Sequence, residues 1–273
     1  MATFSALPSG AARPKVRIYQ TLREALRARG PVEHLRIAAS DLRRVSPAVR
    51  ALLKRLRVLE LRIRRTTSLP TAVLGCERLE VLKVGVEDTI DDWVDRRRGL
   101  KTLPSALDKL SRLRRLDLSF NQLTTLPAAL RRLKALRVLS LQGNQLARWP
   151  SVLSELSRLR ELDLSLNPLT RVPSSIAKLR LLERLNLDAG AGEGPYGGKL
   201  SQFPVGLLRL SKLRVLVLGG QPFEAWLAPL SKMQQLRVLQ LGEWVKSRSS
   251  DPRALEKLRR LRPRLAIVVD AYD

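Results

Sequence analysis

The chain has one cysteine and one histidine in 273 residues. A lone cysteine makes no framework of disulfides, so a reducing, cytoplasmic setting is expected. Neither residue type recurs at metal-ligand spacing, and a single His34 supports no Ser–His–acid set. No apolar run is long enough to span a bilayer, and no leader-like segment opens the chain. Aromatic residues make up only 4%. The core must therefore come from aliphatic side chains, and there are few rings on which to stack nucleobases. The glycines of AGAGEGPYGG lack the lysine and following helix of a phosphate loop. Acid is scarce as well: 25 Asp and Glu face 51 Lys and Arg, a net charge of +26. No catalytic, cofactor or metal residues are expected, and the chain reads as a non-enzyme.

What is present is a repeat. LRRLDLSFNQLTTLPAALRRLKA, LRVLSLQGNQLARWPSVLSELSR and LRELDLSLNPLTRVPSSIAKLRL follow one another in steps of 23 from Leu113, Leu136 and Leu159. Leucine returns at fixed offsets, as does asparagine (Asn121, Asn144, Asn167), and Leu126, Trp149 and Val172 each precede proline. A fixed period sets the fold before any local propensity does. LxxLxL predicts a short strand with one buried face. Asparagine predicts a turn, its amide bonding nearby backbone. Proline starts a helical return segment, because its missing N–H is not needed there. One such unit cannot bury its own apolar side, but stacked units can.

This pattern resembles the leucine-rich repeat family, in its 23-residue Leu-Pro variety. The resemblance implies an α/β solenoid, a horseshoe with a parallel β-sheet on the concave side and short helical or 3-10 segments on the convex side. Followed outward, the register gives nine copies over residues 32–246, opened by Val32, Leu56, Leu79, Leu113, Leu136, Leu159, Leu182, Leu213 and Leu236. Residues 1–31 are expected to be a tail and cap, with a strand at KVRIY and a helix from Thr21 that Gly30–Pro31 stops. Residues 247–273 are expected to be a second cap, with a helix from Asp251–Pro252 and a last strand in LAIVVD. Cys76, Trp149 and Trp226 fall on core offsets. The Arg, Ala and Leu richness points to a bacterial source.

Side-chain alternation along LxxLxLx turns the third, fifth and seventh positions outward. There the basic residues are Arg36, Arg62, Lys83, Arg115 and Arg184, and the acidic ones Glu60, Asp117, Glu161, Asp163 and Asp188. The face is thus neutral in a chain of +26. It is basic at its start and acidic in the middle (Asp117, Asp163, Asp188, with Ser140 and Asn186 between). Its end, at Val215, Val217 and Val238, is small and apolar. Gln142 completes the expected binding set. The three aspartates are too dispersed for a calcium ion, which needs roughly six to eight converging oxygens.

The second positions, Arg57, Arg114, Arg137, Arg160, Arg214 and Arg237, predict a basic rim. It is either an electrostatic footprint for an acidic protein, nucleic acid or anionic surface, or a solubilising edge. Two insertions, near 87–99 and 189–199, follow the strand in their copies and place Trp93 and Tyr196 off the core register. Each is a candidate anchor on a protruding loop; for Trp93 the alternative is a local cluster with Ile90 and Val94. Intracellular relatives of the Leu-Pro type engage GTPases, kinases and signalling scaffolds. The resemblance therefore implies a protein-binding module, of a signalling or GTPase-related kind, with nucleic-acid or anionic-surface binding through the arginine rim as the alternative.

Overall fold

Alternating leucines need a partner surface, and in this protein each repeat supplies it to the next. The computed structural model describes residues 17–63, 66–86, 99–190, 198–242 and 253–270. Among them, eleven strands form one parallel sheet in strict chain order. These are β1 (Ile18–Tyr19), β2 (His34–Ala38), β3 (Val58–Ile63), β4 (Val81–Val86), β5 (Arg115–Asp117), β6 (Val138–Ser140), β7 (Glu161–Asp163), β8 (Arg184–Asn186), β9 (Val215–Val217), β10 (Val238–Gly242) and β11 (Ala266–Asp270). At about 4.8 Å per strand the sheet is some 50 Å across. Register keeps like with like: Leu116 pairs with Leu139, Leu139 with Leu162, Leu162 with Leu185, and Leu185 with Leu216. All five are fully buried. Burial of each contributes on the order of 1.5–3 kcal/mol.

The return segments follow from proline. Pro104, Pro127, Pro150, Pro173 and Pro204 each precede a five-residue 3-10 turn. In each, the proline carbonyl accepts the first turn bond, for example from Leu130 N at 3.1 Å and Leu153 N at 3.0 Å. The apolar residue that donates it (Leu107, Leu130, Leu153, Ile176, Leu207) is driven into the core. Near the ends, α-helices replace these turns: α1 (Leu22–Leu26), α2 (Pro47–Arg55), α3 (Leu227–Lys232) and α4 (Ala254–Leu261). Thr21 caps α1, its Oγ1 accepting from Glu24 N at 3.1 Å. That helix ends at Leu26, well before Gly30. In α2, Ser46 is the cap and Pro47 the first helical residue.

The repeats are tied by buried asparagine. Asn144 donates to the carbonyls of Leu118 (3.0 Å), Leu141 (2.9 Å) and Gln142 (3.3 Å), and its Oδ1 accepts from Leu123 N at 3.0 Å. Asn121 and Asn167 repeat the pattern. Gln221 holds the same place eight residues after Leu213, and bonds Leu187 O and Leu200 N, each at 2.9 Å. The asparagines do more than shape a local turn, since each bonds backbone of the preceding repeat as well as its own.

Cys76 is fully buried in the core, and burial pushes its thiol up to about 12. Trp226 is buried with an edge-on contact to Phe203. Trp149, on the same offset, is only half-buried because its indole N–H turns to Ser154 Oγ at 3.1 Å. At the C-terminal end Arg262 is 5% exposed and donates to the carbonyls of Met233 (2.6 Å) and Leu236 (3.1 Å). It thereby ties the C-terminal cap to the carbonyls of the turn before β10, where Met233 O also accepts from Leu236 N at 3.0 Å. Burial, with Arg237 beside it, holds this guanidinium below its usual range.

Asn144→Ala strands buried backbone groups on two repeats, so urea unfolding should show a loss of about 3 kcal/mol. A similar fall in Asn144→Leu is expected, because volume does not replace the bonds. Arg262→Met should leave the middle repeats intact while hydrogen exchange at β11 quickens by at least tenfold. Unchanged protection at β11 would show that the arginine does not hold that end.

Candidate protein-binding face

The open face is built from the three outward positions of each strand. Its first row is half-buried throughout: Arg115, Val138, Glu161, Arg184, Val215 and Val238. In the second row Lys83 is exposed, Asp117 and Asn186 are half-buried, and Ser140 and Asp163 are buried. Gln142, Arg62 and Asp188 are half-buried in the third row, and Ser165 is buried. The expected binding residues therefore share one face, but they are not equally available to a partner.

Asp163 departs from the expected open acidic stripe. It is 1% exposed. Its Oδ1 accepts from Ser165 N at 2.9 Å and Ser165 Oγ at 2.6 Å, and its Oδ2 accepts from Asn186 Nδ2 at 3.2 Å. The local Asp-x-Ser sequence curls the carboxylate back over its own strand. Burial pushes Asp163 up to about 6; the bonds from Ser165 and Asn186 pull it down in part, and Asp188 pushes it up again. Asp117 uses the same device, with Ser119 N at 3.0 Å and Ser119 Oγ at 2.6 Å, and Ser119 goes on to bond Ser140 at 2.7 Å. There, however, Oδ2 has no partner among the described residues, and Asp117 stays half-exposed. Asp188 Oδ1 accepts from Gly190 N at 2.7 Å.

At the N-terminal end the charges are internally settled. Glu60 accepts from Arg36 Nε at 2.8 Å and lies 2.6 Å from His34 Nε2. Burial raises the Glu60 carboxyl, but Arg36 and His34 outweigh it and hold the group below its ordinary value. The one histidine is thus part of a structural ion cluster. At the C-terminal end β11 adds Ala266 and Val268 beside Val238 and Gln240, which widens the apolar shelf begun by Val215 and Val217.

Two residues that sequence reasoning passed over stand at the edge of this face. Phe120 and Leu166 adopt φ of 55° and 54°, a left-handed backbone that disfavours bulky residues. Gly143 and Gly220 hold the equivalent place in their repeats, with φ of 66° and 67°. The Phe120 ring lies over Gly143, where a Cβ would meet it at 2.6 Å, and the ring remains 37% exposed. A large apolar residue in a glycine position was the available signal. Strain of this sort costs about 1–3 kcal/mol and collects at functional sites.

The rim is not the continuous basic ladder expected. Its second-position series is broken by Glu33, Glu80 and Glu183. Arg57 lies 3.8 Å from Glu33 and 2.9 Å from Glu80, and Arg160 lies 2.6 Å from Glu183. Arg214 spends one nitrogen on the carbonyls of Ser211 and Gln235. Arg237 is exposed. Among the described residues, Arg114 with Arg137, and Arg214 with Arg237, stand consecutively without a carboxylate partner. Trp93 and Tyr196 lie outside the described residues.

Residues 98–146 match a family model for the leucine rich repeat, and residues 158–179 match a second one. These stretches carry the unbroken 23-residue spacing and the asparagine bonds described above. In these stretches the chain carries leucine-rich repeats. No curated protein matches its sequence. Among solved structures it is similar to a leucine-rich-repeat protein of Leptospira interrogans, at 19% identity and a TM-score of 0.49, covering 93% of this chain and 76% of that one. Leucine-rich-repeat proteins are in general non-catalytic modules for protein interaction. Among the described residues no group of three or more His, Cys, Asp and Glu is placed to hold a metal. None of the described helices is long and apolar enough to cross a membrane.

The raised Asp163 carboxyl gives a pH signature. The native state holds its proton up to about pH 6, while the unfolded chain releases it near pH 4. Stability contributed by this group is present in full below pH 4 and is lost as pH rises through 6, by roughly 3 kcal/mol at most. Unfolding of Asp163→Asn across pH 4–7 should be flatter than wild type over that window. A wild-type profile with the same slope as the variant would remove Asp163 as its source.

Proposed function

We propose that the protein binds a folded protein partner on the open sheet face between β5 and β11. Asp117, Glu161 and Asp188 meet basic groups of that partner, and Val215, Val238 and Val268 meet an apolar patch. The observation that carries this reading is the exposed Phe120 ring, held over Gly143 at the edge of a face that mixes half-buried charge with small apolar side chains. Such a surface matches the usual make-up of a protein interface, where a few anchors within a polar surround dominate affinity. The identity of the partner as a signalling or GTPase-related protein rests on family resemblance alone. On the same reading the protein works in the cytoplasm, with Cys76 reduced.

The test uses affinity purification from the native organism, followed by direct binding to the recovered partner. A photo-crosslinking residue at Gln142 should label the partner, and one at Val205, exposed on the turn side of the repeats, should not. Phe120→Ala should weaken binding about tenfold, in the range of an interface anchor. Asp117→Lys with Glu161→Lys should abolish it. If both variants bind as wild type does and Val205 labels instead, the open face is not the site.

A further inference from the structure

We propose that the sheet edge at the start of β5 and β6 holds a binding site for a diphosphate-class oxyanion, built from Arg114, Lys134, Arg137 and Arg158. These four side chains, with Ser111 and Ala135, line one depression of about 450 Å³. Among the described residues no carboxylate lines it. The acids nearby in the array are engaged elsewhere: Glu183 with Arg160 at 2.6 Å, Asp108 with Arg132 at 2.9 Å, and Glu80 with Arg57 at 2.9 Å.

Arg137 is the fixed point. Its Nη1 donates to the carbonyls of Lys134, Ala135 and Leu136 at 3.3, 3.0 and 3.1 Å. That leaves Nε and Nη2 without a partner among the described residues, in an orientation already set. A guanidinium held this way presents a planar pair of donors that suits phosphate oxygens, and little entropy is lost on binding. Arg114 and Arg158 likewise have no bonded partner among the described residues and are exposed. Burial lowers the Arg137 guanidinium from its usual range, and the charges of Arg158, Arg160 and Arg114 lower it further. Cations gathered without an anion repel one another, and a bound dianion relieves that cost.

Farther along the rim, Arg214 and Arg237 also lack a carboxylate partner among the described residues, and Arg214 Nη1 is bonded to the carbonyls of Ser211 and Gln235. Arg57 is flanked by two glutamates and Arg160 by one, so a purely solubilising rim does not explain why the cluster between them is left uncompensated. Arg114 and Arg137 stand just before neighbouring strands about 4.8 Å apart, a spacing that suits two linked phosphates better than one, so a diphosphate is favoured, free or as an ester. Among the described residues no aromatic side chain lines it, so none of them offers a nucleobase a ring to stack on.

The site is independent of the open face and is tested separately. Inorganic pyrophosphate and a nucleoside diphosphate are titrated calorimetrically into the full chain at constant physiological ionic strength. One saturable site is expected. Arg114→Ala with Arg158→Ala, both exposed, should weaken it at least tenfold with unchanged unfolding temperature; Arg57→Ala and the Asp117→Lys, Glu161→Lys pair should change it less than twofold. Equal affinity for the two ligands means that the site reads only the phosphates, and tighter binding of the nucleoside diphosphate means that it takes an ester. Either supports the proposal. Absence of saturable binding, an equal loss in Arg57→Ala, or equal displacement by sulfate at the same ionic strength would overturn it.

Discussion

The structure depends on one buried polar contact made again and again: an asparagine amide that bonds backbone on two repeats at once. Leucine burial supplies most of the favourable free energy, but it is non-directional and does not choose a register. The amides of Asn121, Asn144 and Asn167 do. Each has exact complements in the carbonyls around it and in one N–H of the repeat before. A slip of one residue would leave those groups unsatisfied in a dry interior, which costs far more than a bond is worth in water.

The same contact shapes the open face of the sheet. Where asparagine stands at the ninth place, as in the repeats of β5, β6 and β7, the strand is three residues long. Where it is absent, β3 and β4 run to six. β8 is short as well, although Gly190 replaces the asparagine, so the amide is not the sole cause. In the short-strand repeats the chain turns as it leaves the sheet, and the left-handed residue at the turn is Phe120, Gly143 or Leu166. The asparagine bonds fix the backbone that the strained side chains need, and so the interior of the array sets which apolar residues stand at its open edge.

Much of this was legible in the sequence, for a physical reason. A period of 23 residues ties each core leucine to an equivalent in the next repeat, so the parallel sheet, its register and its outward positions followed from spacing alone. What spacing cannot reveal is how deep an outward side chain lies. Asp117 and Asp163 occupy the same place in their strands, and both fold back on a serine two residues on. Only Asp163 has Asn186 beside it to take its second oxygen, and it is the one that is buried. Gln221 escaped a search for asparagine because one extra methylene still delivers the amide to the same carbonyls. Phe120 escaped because alignment by leucines hides a position whose meaning lies in its backbone angle. On the rim, Glu33, Glu80 and Glu183 hold second positions in their own repeats and pair with Arg57 and Arg160, which the arginines alone do not reveal.

The charge of the chain, finally, is arranged so that its two candidate surfaces do not interfere. The open face carries equal numbers of acidic and basic residues, and much of its charge is spent on internal bonds such as Glu60 with Arg36 and His34. Contact there is decided at short range, by shape and a few unspent groups. The large positive excess lies off that face and acts at distances up to about a Debye length, some 8 Å in physiological salt. Such a field hastens the approach of acidic molecules without choosing among them. At Arg137 the excess meets a fixed geometry, because its guanidinium is pinned by three carbonyls of the turn that feeds β6. A ligand at that edge and a protein on the sheet would touch different atoms of the same strands, β5 and β6. The parallel ladder that joins those strands gives a rigid frame on which both can sit at once.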